Sequence, residues 1–428
     1  MPKVIIAGGG VHGTFLSHAL TRTGALDMDD IIVLDPHQEA LAEWDRLTSA
    51  TGMRYLRSPS SHNLDVDFHA LRRFAQKLGC AGPAATKEQA DRDAPPSSLP
   101  PFIPPYARPL LELFNAHARH LIRREGLHRM RRRGRLRAVD ARPERITVLT
   151  DSETIETDYL ILAVGRPSPP YKPTWARGVN DRRLIHVFDP GFSPEEVSAA
   201  RRPVIIGGGT TAVQLACSVA RSGAAEEVIL LTRNNMRVRQ FDSEPCYIGP
   251  RCLPTFLASS DPAHRRRLID HARYPGSIPP DVAEALAEQP RVRLIRDEVL
   301  RVEIDSTTDV GISLQSAGNA GPVITDRAVL ATGFGNEVPP APLIARIARS
   351  HRLPTGPRGY PVPDAFLRWH PRIMVCGALA ELELGPAAPN IIGAHLAARR
   401  LVPFFREREA PPCPRIAWTA LTHHLTPA

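Results

Sequence analysis

Apolar positions along this chain fall into two kinds of run. The N-terminus opens on VIIAGGG, a wholly apolar stretch closed by three glycines. Next comes VHGTFLSHALTR, apolar at helical spacing, and then a second apolar run, DIIVLD. Short β-branched runs without polar alternation read as strands buried on both faces, the pattern of a parallel sheet. The same order returns later as PVIIGGGTTA, a helical TTAVQLACSVARS and the run EVILLTR. Two strand–turn–helix–strand units are therefore expected.

Between the units, LLELFNAHARHLIRR predicts a helix over 109–124. The alternating segments RLRAVDA, RITVLTD and TIETDYLILAVG predict a meander that ends in a buried strand. That sequence recurs as VLRVEID, VGISLQS and VITDRAVLATG, and the two endings close on Gly165 and Gly333, ahead of Arg166 and Phe334. These read as the two crossings between domains. The expected fold is α/β, with two Rossmann-like dinucleotide-binding domains, the second inserted into the first. The first domain takes residues 1–166 and 326–428, the second 167–325. IMVCGALAELELGPAAPNIIGAHLAARRL then predicts a strand, a glycine-rich turn starting at Gly377, and a helix opened by Asn390 and Gly393. Pro95, Pro96, Pro100, Pro101, Pro104 and Pro105 exclude helix and central strand before it, so 94–109 reads as a surface loop or lid.

The glycine clusters give the units their chemistry. Gly8, Gly10 and Gly13 occupy G-x-G-x-x-G; Gly207 and Gly209 repeat it, with Ala212 in the third position and Thr210 opening the helix. Such turns let backbone N–H groups approach a pyrophosphate at a helix N-terminus. The second strand of the first unit ends in Asp35, 27 residues after Gly8; that of the second ends in Arg233, 26 after Gly207. An acid at this place suits a ribose 2′-hydroxyl and an arginine suits a 2′-phosphate. The first unit is thus expected to hold FAD and the second NADPH, with Arg237 or Arg239 assisting Arg233.

Composition adds mostly exclusions. The net charge of +9 is almost wholly arginine, since only Lys3, Lys77, Lys87 and Lys172 are lysines. The densest basic run, around Arg131, Arg132, Arg133, Arg135 and Arg137, lacks interleaved aromatics and reads as a solvated strand edge rather than a nucleic-acid site. No signal peptide and no 18-residue apolar run is seen, so no membrane contact and a cytoplasmic location are expected. The six cysteines (Cys80, Cys217, Cys246, Cys252, Cys376 and Cys413) follow no redox or metal spacing, so all are expected to be reduced and no metal is expected. Disulfide reduction by a flavin-adjacent C-x-x-C or C-x-x-x-x-C pair is thereby disfavoured.

The paired fingerprints, the LATG ending and the GP…N…GA helix resemble those of class B flavin-dependent monooxygenases. Three segments bring the chain nearest the lysine/ornithine N-hydroxylase branch: YLRSPSSHNLD; RPLLELFNAHARHL, with Arg108; and RVRQFDSEPCYIGP, with Asp242, Ser243 and Glu244. The ketone-oxygenating fingerprint F-x-G-x-x-x-H-x-x-x-W is absent; LIHVFD offers only His186 and Phe188 there, and His186 is expected to pack rather than act as a base. The resemblance implies that NADPH reduces FAD, that O2 adds at the flavin C4a carbon, and that the hydroperoxide passes its distal oxygen to a small substrate, an amine or amino-acid-like metabolite. It also implies a flavin-side wall built by Arg57, Ser58, His62 and Asn63, the candidate catalytic residues. Gly165, Gly333, Gly377 and Asn390 join the cofactor-binding set. Two other readings stay open: a flavin reductase without a redox cysteine pair, passing electrons to a protein or quinone, and a flavoprotein that binds without turnover. The oligomeric state is open too.

Overall fold

The structure is a computed structural model that describes residues 1–79, 99–165, 169–305, 312–317 and 321–407. Cys80, Cys413, Pro95, Pro96 and Arg166 lie outside the described residues.

Both expected units form, and each is the middle of a sheet. The first sheet has six strands in the order Arg368–His370, Ile373–Val375, Tyr159–Leu162, Val4–Ala7, Ile31–Asp35, Arg131–Arg133. All neighbours run parallel except the first two strands. The second sheet is parallel, in the order Leu184–His186, Ala328–Leu330, Val204–Ile206, Val228–Thr232, Val292–Arg296. The apolar runs lack alternation because both faces are covered: Val4, Ile5, Ile6, Val204 and Ile205 are wholly buried. This is the α/β architecture of two Rossmann-like sheets, with the chain returning to the first after completing the second.

The meanders form separate three-stranded antiparallel sheets, Leu136–Ala141 with Ile146–Thr150 and Thr154–Thr157, and Val299–Ile304 with Ile312–Ser316 and Val323–Thr325. The strand after each meander inserts into a central sheet. Ala328–Leu330 lies in the second sheet, so that sheet runs past the expected boundary at 325/326. The helix predicted from residue 109 starts at Leu111, because Arg108–Pro109 pairs with Phe102–Ile103. The fingerprint helix Val11–Arg22 packs along the closing helix Ile391–Glu407, with the Phe15 ring 4.0 Å from that of His395. No helix among the described residues is long and apolar enough to cross a membrane.

One cysteine expectation fails. Cys246 and Cys252 form a disulfide, while Cys217 and Cys376 are free and buried. The turn Pro245–Ile248 folds back on the start of the helix Leu253–Ala258 and brings the two Cα atoms within 5.3 Å, a closure that spacing alone does not reveal.

Candidate functional site

The two fingerprints have the same geometry. Gly8 has φ +118°, and a Cβ there would stand 2.2 Å from the Ala163 carbonyl oxygen; Gly207 has φ +150°, and its Cβ would stand 2.4 Å from that of Ala331. In both units, then, the first glycine is required because the turn passes directly over the strand that follows the meander. Gly10 caps the helix Val11–Arg22 and Gly209 caps Thr210–Ser222, neither with a side-chain cap, so the first N–H groups of both helices are left for a ligand. Gly13 packs against the Gly8 carbonyl, while Ala212, wholly buried, fills the third position of the second unit.

Asp35 ends its strand with Oδ2 accepting from Gly9 N–H at 2.6 Å and Oδ1 from His37 N–H at 2.8 Å. The remaining lone pairs of the carboxylate can take ribose hydroxyls. Arg131 departs from the expected solvated edge. Its strand is the sheet edge, and Arg132 and Arg133 are exposed, but the Arg131 guanidinium folds back over Gly9 and donates to the carbonyls of His37, Gln38 and Glu39. It sits 3.9 Å from Asp35, and burial lowers its pKa.

The second fingerprint opens on a cavity of about 1570 Å³. Gly207, Gly209, Thr210, Arg233 and Arg237 line one side, and Arg57 and Asn390 reach it from the first domain. Arg233 is exposed and has no hydrogen-bond or ion-pair partner among the described residues. Arg239 is exposed but does not line the cavity. Gly333 lies on the cavity wall with open space around it, and Gly165 is similarly open at the other crossing. Asn390 Nδ2 donates to Asp242 Oδ1 at 3.1 Å, which joins the start of the closing helix to the insertion of the second domain.

The four candidates for the flavin-side wall separate. Arg57 lines the cavity, yet its guanidinium donates to the carbonyls of Gln240 (2.8 Å), Arg239 (2.6 Å) and Ser277 (3.2 Å) and to Ser277 Oγ (2.9 Å). It is a tie between the domains. Ser58 and His62 are half-buried and do not line the cavity, and burial pushes His62 down to about 4, leaving it neutral. Asn63 is wholly buried; its amide donates toward the carbonyls of Ser60, Asp67 and Phe68 while its oxygen accepts from Asp65 N–H. A side chain so occupied shapes its own turn. His186 packs as expected: it is wholly buried, its Nδ1 accepts from Phe188 N–H at 3.1 Å, and burial takes it to about 4.

The sequence pattern does not single out the remaining ties. Arg108 in the first domain is 1% exposed and pairs with Asp281 at 2.7 Å in the second. Glu381, beside the glycine-rich turn, is wholly buried and held by both Arg266 and Arg273 from the insertion, while Arg265 pairs with Glu383 at 2.5 Å. These pairs join residues more than a hundred positions apart and leave no local signal. The Cys246–Cys252 pair does not line the cavity.

Residues 77–248 match the family model described as pyridine nucleotide-disulphide oxidoreductase. No curated protein matches the sequence. Among solved structures, the reduced ornithine hydroxylase of Pseudomonas aeruginosa is similar over 95% of this chain and 99% of its own, at 16% identity and a TM-score of 0.69. The fold is that of N-hydroxylating flavin monooxygenases. The cadaverine monooxygenase of Erwinia amylovora, bound to FAD, covers 97% of both chains at 14% identity and a TM-score of 0.70. The ornithine N-hydroxylase of Kutzneria, with reduced FAD, NADP+ and L-ornithine, is similar over 95% of this chain and 99% of its own at 14% identity and a TM-score of 0.70.

Proposed function

We propose that the protein is an NADPH-dependent FAD monooxygenase that N-hydroxylates a small amine or amino-acid-like metabolite. One observation carries the reading: two turns of the same geometry end in opposite charges, Asp35 in one and in the other an Arg233 without a partner among the described residues, and the second opens on a cleft shared by both domains. FAD is assigned to the first unit, its pyrophosphate at Gly8, Gly10 and Gly13, its ribose at Asp35, and its flavin side toward Gly165, Gly377 and Asn390. NADPH is assigned to the second, its pyrophosphate at Gly207, Gly209 and Thr210, its 2′-phosphate at Arg233 with Arg237, and Gly333 at the crossing. The uncapped helix ends and the open space at Gly10 fit these groups.

When bound, FAD supplies hydride acceptance from NADPH and transfer of one oxygen atom from O2 to a nucleophilic nitrogen. The chain's own part is to hold two cofactors and a substrate in one cleft and to keep water out. Arg57, Arg108 and Glu381 serve that part by fixing the insertion against the first domain. A disulfide that does not line the cleft favours oxygenation over disulfide reduction. The amine-bearing substrates named for the similar cadaverine and ornithine enzymes support an amine here. Equilibrium dialysis of the purified chain tests the assignment: one FAD and one NADPH per chain support it, and retention of neither contradicts it.

A further inference from the structure

The assigned dinucleotides account for the glycine turns and for Arg233, but not for an apolar wall beside them. Leu300 lines the cavity of the second fingerprint and is 59% exposed. Trp175 lines it too, half-buried, and packs against the core that holds Ala176, Leu184 and Val204. An exposed leucine alone needs no explanation. A leucine and an indole on the wall of a nucleotide cleft offer an apolar surface to whatever fills it.

The backbone ties both side chains to Arg233. Thr232, the residue before it, ends its strand opposite Arg296, and its carbonyl accepts from Asp297 N–H at 3.0 Å. Arg296 Nη1 donates to Asn235 Oδ1 at 2.6 Å, so the turn that carries Arg233 runs beside residues 296–298. Leu300 follows in the strand Val299–Ile304, and the turn Thr174–Ala176, with Trp175 at its middle, packs on that strand. The pairing shifts register between Val299 and Arg301, and such a bulge re-aims a side chain: Val299 is buried while Leu300 faces out.

The polar groups of this wall do not compete for a base. Glu298 N–H donates to Asp297 Oδ1 at 2.8 Å and its carbonyl accepts from Ala317 N–H at 2.9 Å, so its backbone is spent. The carboxylates of Asp297 and Glu298, both on the wall, repel a phosphate and leave it to Arg233. NADPH has a part that suits the rest. Its 2′-phosphate and its adenine hang on adjacent carbons of one ribose, so a group that holds the phosphate has the base beside it. A purine is flat and stacks on aromatic side chains by its face.

We infer that Trp175 and Leu300 form the slot for the adenine of NADPH, next to the 2′-phosphate on Arg233. The inference rests on the assignment of NADPH to that unit. Arg233 distinguishes NADPH from NADH, whereas Trp175 and Leu300 hold the part that the two nucleotides share. The base is at the far end of the dinucleotide from the nicotinamide, so the slot contributes to binding and not to hydride transfer.

The test uses the full FAD-loaded chain, with two readouts: steady-state oxidation of NADPH and of NADH, and calorimetric titration with 2′,5′-ADP, which carries only the adenosine end. Trp175→Ala is expected to raise both KM values roughly tenfold at unchanged kcat and to weaken 2′,5′-ADP by the same factor. Trp175→Phe keeps an aromatic face and should stay within about threefold of wild type. Leu300→Ser should weaken 2′,5′-ADP about fivefold; this side chain is exposed, so the variant carries the test if Trp175→Ala fails to fold. Wild-type affinity for 2′,5′-ADP in either W175A or L300S overturns the inference, as does a W175A defect confined to kcat or to NADPH alone. A wild-type chain that binds neither NADP+ nor 2′,5′-ADP removes the NADPH assignment itself, an outcome distinct from the others.

Discussion

Arg108 and Asp281 form an ion pair at 2.7 Å across the two domains, with the Arg108 side chain 1% exposed. Arg108 Nη2 also donates to the Pro104 carbonyl, while its Nε has no partner among the described residues. Removing Asp281 would leave a buried guanidinium without its counter-charge. Asp281→Ala is expected to cost about 3 kcal/mol, read as a lower midpoint in urea unfolding. An unchanged midpoint would show that the pair is not a joint between the domains.

Arg233 is expected to decide which pyridine nucleotide is used. Arg233→Ala should raise the KM for NADPH by about 10- to 100-fold, the loss of one or two charge-assisted hydrogen bonds, with little change for NADH. Equal losses for both nucleotides would place the 2′-phosphate elsewhere, and Arg237→Ala would be the next variant to measure.

The disulfide is expected to staple the insertion and to carry no electrons. Replacing Cys246 and Cys252 together with serine should lower stability by about 2 kcal/mol, the scale for a short closed loop, and leave the rate of flavin reduction by NADPH unchanged. A variant that folds but no longer oxidises NADPH would return disulfide reduction to consideration.

Stability should depend on pH through the buried histidines. His12, His62, His117 and His186 are lowered to about 4 and His395 to about 3, each first by burial. Between pH 6.5 and 4 the unfolded chain binds protons that the folded chain does not, so stability is full above about 6.5 and falls as pH drops toward 4. Asp65 adds a lower window. Burial pulls it upward, but His18 and Arg124 outweigh that and hold it at about 2, so its contribution is present above about 3.8 and is lost as pH falls through 2. Melting temperatures from pH 7.5 to 4 should fall with the slope of several protons; a flat profile would contradict the buried, neutral state of these rings.

The parts of this molecule legible in the sequence are those whose cause is local. A strand buried on both faces shows as an unbroken apolar run, and the turn over Ala163 requires glycine at 8 whatever the rest of the chain does. The opposite charges at 35 and 233 are legible for the same reason, since each closes its own strand–turn–helix–strand unit. Asn63 is different: S-H-N looks alike whether the amide faces a ligand or its own turn, and only the fold shows that its hydrogen bonds are spent. Arg57, Arg108, Arg131 and the Cys246–Cys252 pair depend on tertiary approach.

The central claim is that electrons entering at the Arg233 cleft reduce O2, one atom of which goes to a substrate nitrogen while the other leaves as water. It is tested most directly by turning over the FAD-loaded protein with NADPH and 18O2 against a panel of short diamines and basic amino acids. One 18O atom in a hydroxylamine product per NADPH oxidised, with little hydrogen peroxide, is the predicted result. Stoichiometric hydrogen peroxide with no labelled product across the panel, together with rapid reduction of a quinone or protein acceptor, would contradict it.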